Sequence, residues 1–289
     1  VRVGIFGLGL IGRAAAGRLV AAGHEVWGFD PSVDAVQAFE ALGGTACVAE
    51  AVWRADVVLL AVFDAAQGVA VLAGRPEELA PAVMVLTTCD PGGVEALAAA
   101  AGPCAMVEAP VSGTSAQLAR GEATVWLAGE AGAVDRVWPV AAALTGRVVR
   151  LGAYGEGARV KLCVNLILGL NRAALAEGLV LARALGLDGA RFLALAQGSA
   201  AASSVMATKG PRMVAGDFAP EGRVVQSAKD FGLILAAAEG AGVGLPFARL
   251  YAEMMGDLVA AGEGDLDNAA IIRALERGRA GPVVAGEVP

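Results

Sequence analysis

Histidine is nearly absent: His24 is the single one in 289 residues. It falls in a turn before an expected strand, so neither a histidine metal cluster nor a histidine proton relay can be built from this chain. Lysine is scarce as well. Lys161, Lys209 and Lys229 stand against nineteen arginines, and a bias toward arginine explains the rarity but not the positions of the three that remain. The four cysteines, Cys47, Cys89, Cys104 and Cys163, lack metal-ligand spacing. They read as free, mostly buried thiols of a reducing cytoplasm. Basic residues are outnumbered, 22 against 29 acidic, and the net charge of −7 argues against nucleic acid or an anionic membrane as partner. The longest apolar runs, 57–63 among them, are of strand length, so no membrane span is expected. No secretory signal precedes the first strand, although residue 1 is Val rather than Met and a trimmed leader stays open. Apolar residues are plentiful, 56% against 18% charged, which suffices for a buried core in one large domain or two ordinary ones and excludes disorder.

Short apolar strands alternate with helical stretches in the first half. Strands are expected at 2–6, 25–30, 57–62, 83–88, 105–108, 124–128 and 147–151, and helices at 10–22, 32–42, 92–101 and 134–144. The run 57–62 is solidly Val and Leu rather than alternating, as in a strand buried on both faces. Alternating β and α units imply one parallel, doubly wound sheet with right-handed crossovers. After Tyr154-Gly155-Glu156-Gly157 the pattern changes to one long helix, 158–185, roughly 40 Å at ~1.5 Å per residue. Helices at 189–197, 203–209, 225–241, 246–261 and 269–277 follow, with no convincing strand. The fold class is α/β: a nucleotide-binding sheet domain (1–155), a long connecting helix (156–185), an all-α domain (186–280) and a loose tail (281–289).

Gly7-Leu8-Gly9-Leu10-Ile11-Gly12 fits G-x-G-x-x-G and sits between an expected strand and helix, the context that makes it a Rossmann dinucleotide fingerprint. Gly7 permits the tight turn, Gly9 lets backbone approach a pyrophosphate, Gly12 lets helix pack on strand, and the helix N-terminus attracts the phosphates. Asp30 ends the next strand, 18 residues beyond Gly12. A carboxylate there binds both ribose hydroxyls and repels a 2′-phosphate. Pro31, Ser32 and Val33 follow without an arginine, so NAD is expected in preference to NADP. Ligands bind beyond the carboxyl ends of strands, which directs Phe63, Asp64 and Thr88 toward the cofactor. Thr87 reads as an ordinary strand residue and Asp90 as a helix cap before Pro91.

Five segments then carry a resemblance: GLGLIG at 7–12, EAPVSGTSAQLARGEAT at 108–124, GARVKLCVNL at 157–166, AASSVM at 201–206 and KDFGLIL at 229–235. The chain resembles the β-hydroxyacid dehydrogenases, typified by 3-hydroxyisobutyrate dehydrogenase and tartronate semialdehyde reductase. The resemblance implies a 6-phosphogluconate dehydrogenase-like pairing of Rossmann and helical domains. It also implies NAD(P)-linked oxidation of short hydroxy acids, and a homodimer or homotetramer. It makes Ser112, Gly113 and Thr114 the clamp for a substrate carboxylate. The residues alone allow this, since a small turn at a helix start offers amides and hydroxyls to an anion, but equally allow a simple capping turn.

Lys161 and Asn165 lie four apart on the long helix and share a face. Val160, Leu162 and Val164 surround the lysine, and an amine in an apolar cleft between domains loses solvation for its charged form, moving toward general acid–base use. Spacing alone would favour a surface lysine. The scarcity of lysine, the missing histidine and the resemblance point instead to Lys161 as the proton-transfer group with Asn165 beside it. The resemblance also implies that Lys229 closes over the cofactor, with Asp230 a weaker candidate, while Lys209 reads as a surface residue. The segments 219–227 (APEGRVVQS) and 201–206 depart from the commoner family versions, which opens the reading to larger or more polar acids: tartronate or succinic semialdehyde, or a sugar acid of the threonate type. A 6-phosphogluconate dehydrogenase is disfavoured because no His stands near Asn165. An imine reductase is disfavoured by Lys161, and a non-catalytic NAD sensor by the retained Lys161 and Asn165.

Overall fold

A computed structural model describes residues 1–278; the expected tail, 281–289, lies outside the described residues. The chain forms two compact units, Val1–Cys163 and the part from Val164 onward. In the first, strands and helices alternate: β1 (Arg2–Phe6), α1 (Leu10–Ala21), β2 (Glu25–Phe29), α2 (Val33–Glu40), β3 (Thr45–Ala46), α3 (Ala49–Val52), β4 (Val57–Leu60), α4 (Ala65–Ala73), β5 (Ala82–Val85), α5 (Pro91–Ala101) and β6 (Ala105–Glu108). These strands make one parallel sheet in the order β3-β2-β1-β4-β5-β6. The chain winds outward from β1 through β2 and β3, then crosses to β4 on the other side of β1. That reversal leaves a crevice at the carboxyl ends of β1 and β4, where open α/β sheets bind ligands.

The centre of the sheet is apolar on both faces. Val57, Leu59 and Met84 point into one core with Leu19 and Val137, while Val58, Leu60, Val83 and Val85 point into the other with Trp53 and Leu97. Each such side chain contributes about 1.5–3 kcal/mol of burial. This explains why these strands read as continuous Val and Leu runs.

The last strands do not extend this sheet as expected. β7 (Val111–Ser112), α6 (Ser115–Ala119), β8 (Thr124–Leu127), α7 (Ala131–Leu144) and β9 (Arg147–Arg150) build a separate three-stranded sheet in which β7 runs antiparallel to β8 and β8 parallel to β9. On leaving β6 the chain passes Pro110, which has no N–H to continue a ladder, and Glu108 bridges antiparallel to Ala128. Four short elements, β3, α3, α4 and β7, were not foreseen from the sequence.

A single helix, α8 (Glu156–Ala184), starts in the first unit and continues into the second. By length and composition it could cross a membrane, against the expectation from uninterrupted runs. However, Asn165, Asn171 and Arg172 interrupt it, and Leu162, Leu175, Ala176 and Leu179 are buried in protein. The second unit continues with α9 (Gly189–Gln197), α10 (Ser204–Ala215), α11 (Val224–Gly240), α12 (Pro246–Ala260), a 3-10 turn at Asn268–Ala270 and α13 (Ile271–Glu276). α10 runs a full turn and a half past its expected end at 209, carrying Pro211 inside it.

Candidate active site

The glycine loop connects β1 to α1 as the motif requires. Gly7 has φ +89°, and a Cβ on it would lie 2.5 Å from the Ala61 carbonyl oxygen. A Cβ on Gly12 would overlap the carbonyl oxygen of Gly7. Gly9, immediately before α1, differs: a Cβ there would meet nothing within 4 Å, and no side chain caps the helix. An uncapped helix start beneath open space suits a pyrophosphate, whose oxygens would take the first-turn amides. Leu10 and Ile11 open that turn, while the Leu8 side chain is wholly buried. Leu8 therefore acts through its backbone, and its amide donates to Asp30 Oδ2 at 2.8 Å. Asp30 Oδ1 accepts from the Ser32 amide, also at 2.8 Å, so the acid expected to bind ribose is fixed against the glycine loop. These residues fit a dinucleotide.

Past β4, Phe63 and Asp64 turn the chain into α4. Asp64 accepts from the Gln67 amide at 2.8 Å, and the Phe63 amide donates to Gln67 Oε1 at 3.0 Å. Past β5, Thr87 Oγ1 donates to the Val62 carbonyl at 3.0 Å, and Asp90 caps α5 through the Gly93 amide ahead of Pro91. Between them Thr88 and Cys89 line a pocket together with Glu108, Pro110, Ala158 and Lys161. This pocket lies at the carboxyl ends of β5 and β6.

Lys161 is 9% exposed, and its Nζ donates to the Val111 carbonyl oxygen at 2.6 Å. The next two residues after Val111 are Ser112 and Gly113, so the lysine amine is tied to the base of the expected carboxylate clamp. Within that clamp Thr114 also serves as the N-cap of α6. Its amide donates to Gln117 Oε1 at 2.8 Å and its Oγ1 accepts from the Gln117 amide at 3.1 Å. The capping reading therefore holds at Thr114. Glu108 is 3% exposed, and its sequence context alone assigns it no role. Its carboxylate takes the amides of Gly155 and, at 2.7 Å, Ala158, at the start of α8. Burial pushes its carboxyl above the usual range, while the Ala158 and Gly155 amides and nearby Arg159 pull the other way.

In the second unit Asn165 Nδ2 donates to Asp230 Oδ2 at 2.9 Å. Lys229 Nζ lies 3.1 Å from Asp230 Oδ1. Asn165, Lys229 and Asp230 are therefore one cluster. The amide of Asn165 is oriented by Asp230, a partner the sequence did not suggest. Lys209 is the clear correction. It is 3% exposed rather than a surface residue, and it binds both carboxylate oxygens of fully buried Asp267 at 2.8 and 2.9 Å. Asp267 also accepts the amides of Glu221, Gly222 and Ala269. Burial would raise the Asp267 carboxyl, but the Lys209 ammonium and these amides hold it below the ordinary carboxylate range.

With this geometry in hand, comparison with known proteins is direct. Residues 2–152 match the family model for the NAD binding domain of 6-phosphogluconate dehydrogenase, and residues 155–275 that described as NAD-binding of NADP-dependent 3-hydroxyisobutyrate dehydrogenase. An L-threonate dehydrogenase of Cupriavidus necator is 35% identical, covering 94% of this chain and 95% of its own length. A probable 3-hydroxyisobutyrate dehydrogenase-like protein of Arabidopsis thaliana is 30% identical, covering 96% and 85%. The crystal structure of 3-hydroxyisobutyrate dehydrogenase from Salmonella typhimurium superposes with a TM-score of 0.85 at 31% identity, over 94% of this chain and 99% of that one. These matches cover nearly the whole chain, and the chain belongs to the β-hydroxyacid dehydrogenase family as an NAD(P)-dependent enzyme that oxidises the CH–OH group of a hydroxy acid.

Proposed function

We propose that the enzyme oxidises a short-chain β-hydroxy acid with NAD in preference to NADP, using Lys161 as general base, and as general acid in the reverse direction. The observation that carries this reading is the buried Lys161 amine, fixed on the Val111 carbonyl in the pocket beside Thr88. An amine anchored on a carbonyl oxygen is held on its four-carbon stem where a substrate hydroxyl can meet it. The substrate carboxylate sits on Ser112 and Gly113, with the Thr114 hydroxyl hydrogen as a further donor. Asn165, oriented by Asp230, offers its amide to the substrate oxygen. When bound, NAD supplies the hydride acceptor at the pocket. Lys161 takes the hydroxyl proton on oxidation and returns a proton to the nascent alkoxide on reduction. Lys229 belongs to the cofactor-binding set together with Gly7 to Gly12, Asp30, Phe63, Asp64 and Thr88.

The preference for NAD rests on Asp30. Its oxygens are held by Leu8 and Ser32, so the carboxylate cannot turn away from a 2′-phosphate. A second substrate reading, a sugar acid of the threonate type, is favoured by the 35% identity to an L-threonate dehydrogenase against 30% for the 3-hydroxyisobutyrate type and by the polar segment 219–227. A homodimer or homotetramer is part of the proposal, supported by Ile167 and Leu181 of α8, which are 59% and 60% exposed. Light scattering during gel filtration checks it, and a monomer overturns it.

The central test is Lys161→Ala, assayed with a panel of 3-hydroxyisobutyrate, L-threonate and glycerate against both cofactors. Turnover with the best acid falls at least ~100-fold, the usual scale of general acid–base catalysis, while NADH still binds in a fluorescence titration. Near-normal turnover would refute the role of the lysine.

A further inference from the structure

Gly155, the residue before α8, has φ +83° and no side chain, so nothing at the usual capping position can accept the first amides of this helix. A residue from a distant strand does so instead. Glu108, at the end of β6, takes the Gly155 amide on one carboxylate oxygen and the Ala158 amide on the other. The fit is close: a Cβ on Gly157 would lie 3.0 Å from both the Cβ and Oε2 of Glu108, so only glycine lets the helix start come this near. One turn further along α8 stands Lys161, whose amine returns to Val111, three residues beyond Glu108. The chain therefore closes a loop. Glu108 holds the start of the helix, the helix presents the lysine, and the lysine is tied to the segment that Glu108 itself begins. Pro110 stiffens that segment, and Glu108 and Lys161 line the same pocket.

We propose that Glu108 is a positioning residue for Lys161: it fixes the depth and rotation of the first turns of α8 so that the lysine amine meets the reacting oxygen. The carboxylate touches neither substrate nor cofactor in this role. The anion also suits the positive end of a helix 29 residues long. This inference rests on the proposed role of Lys161, and its test separates the two.

Glu108→Gln keeps the shape, but its amide nitrogen must face one of the two helix amides, donor against donor. Glu108→Asp keeps the charge and a shorter reach. Gly157→Ala pushes the helix start away without altering the carboxylate. All three are assayed as full-length enzyme with NAD and the best acid of the panel, alone and in the Lys161→Ala background. Glu108→Gln and Gly157→Ala should lower kcat by on the order of 10- to 100-fold, the scale of a reacting group displaced by about an ångström, with KM for acid and NAD little changed. Glu108→Asp should recover part of that loss. In the Lys161→Ala background none of the substitutions should lower the residual rate further, because the residue they act through is gone. A purely structural role predicts equal losses in both backgrounds, and that result overturns the proposal. Unchanged kcat in folded Glu108→Gln or Gly157→Ala overturns it too, and if Glu108→Gln does not fold, Gly157→Ala and Glu108→Asp decide. If Lys161→Ala itself keeps normal turnover, the reading of the lysine fails, whereas a crippled Lys161→Ala beside fully active Glu108 variants removes only the positioning claim.

Discussion

Gly9 and Gly12 stand three residues apart in the same loop and are glycine for different reasons. A methyl group on Gly12 strikes the backbone of Gly7 in the protein itself, whereas one on Gly9 points into open space that only a cofactor would fill. Gly12→Ala should therefore lower the thermal midpoint. Gly9→Ala should leave it nearly unchanged and weaken NADH binding by roughly 10-fold or more, about 1.4 kcal/mol or above. Differential scanning fluorimetry and a fluorescence titration of each variant check this, and equal losses of stability in both would sink the argument. Roles of this kind were visible in the sequence because motif, strand and helix are contiguous. Lys161 stood out through the rarity of its type. Glu108 was written in a quoted segment yet had no legible role, since its partners are amides 47 and 50 residues away. Lys209 was misread for the same reason, its carboxylate lying 58 residues on, beyond any helical spacing.

Among the elements, the long helix and the buried strands were legible from periodicity and from solid Val and Leu runs. α4 was not, because Ala65–Ala73 has small, apolar residues on every side and no stripe. Its start was nonetheless written in the chain: Asp64 and Gln67 stand three apart ahead of an apolar run, the spacing of a capping box. Asp64→Ala removes the acceptor for the Gln67 amide and should destabilise the first unit by about 1 kcal/mol, within the 0.5–2 kcal/mol range of lost N-caps, as read from a lowered midpoint in urea. Gln67→Ala should cost less, since the Phe63 amide it accepts lies before the helix and no helix amide loses its acceptor. The reverse order would mean that the cap does not set the helix. The separate three-stranded sheet was out of reach of sequence reasoning. Periodicity identifies a strand but not its neighbour, and the direction of β7 is decided by two residues paired to β8.

At the scale of the whole molecule, both units bury apolar side chains, and the second also buries an ion pair. Lys209 and Asp267 tie α10 to the loop at Glu221 and Gly222 and to the turn before α13. Removing one partner of a buried pair leaves a charge without its counterion, so Lys209→Met should cost about 3–5 kcal/mol near neutral pH. Acid should act on the same bond. Because the folded carboxyl of Asp267 lies below its unfolded value of about 3.9, its contribution is fully present above that value and is lost as pH falls through the lower folded one. The midpoint advantage of the natural protein over Asp267→Asn should thus stay flat from neutral pH down to about 5 and shrink below about 4. Midpoints of both proteins measured by circular dichroism across this range check this. An advantage that persists undiminished into strong acid would show that the carboxylate charge contributes nothing, and that the amides of Glu221, Gly222 and Ala269 hold the turn by themselves.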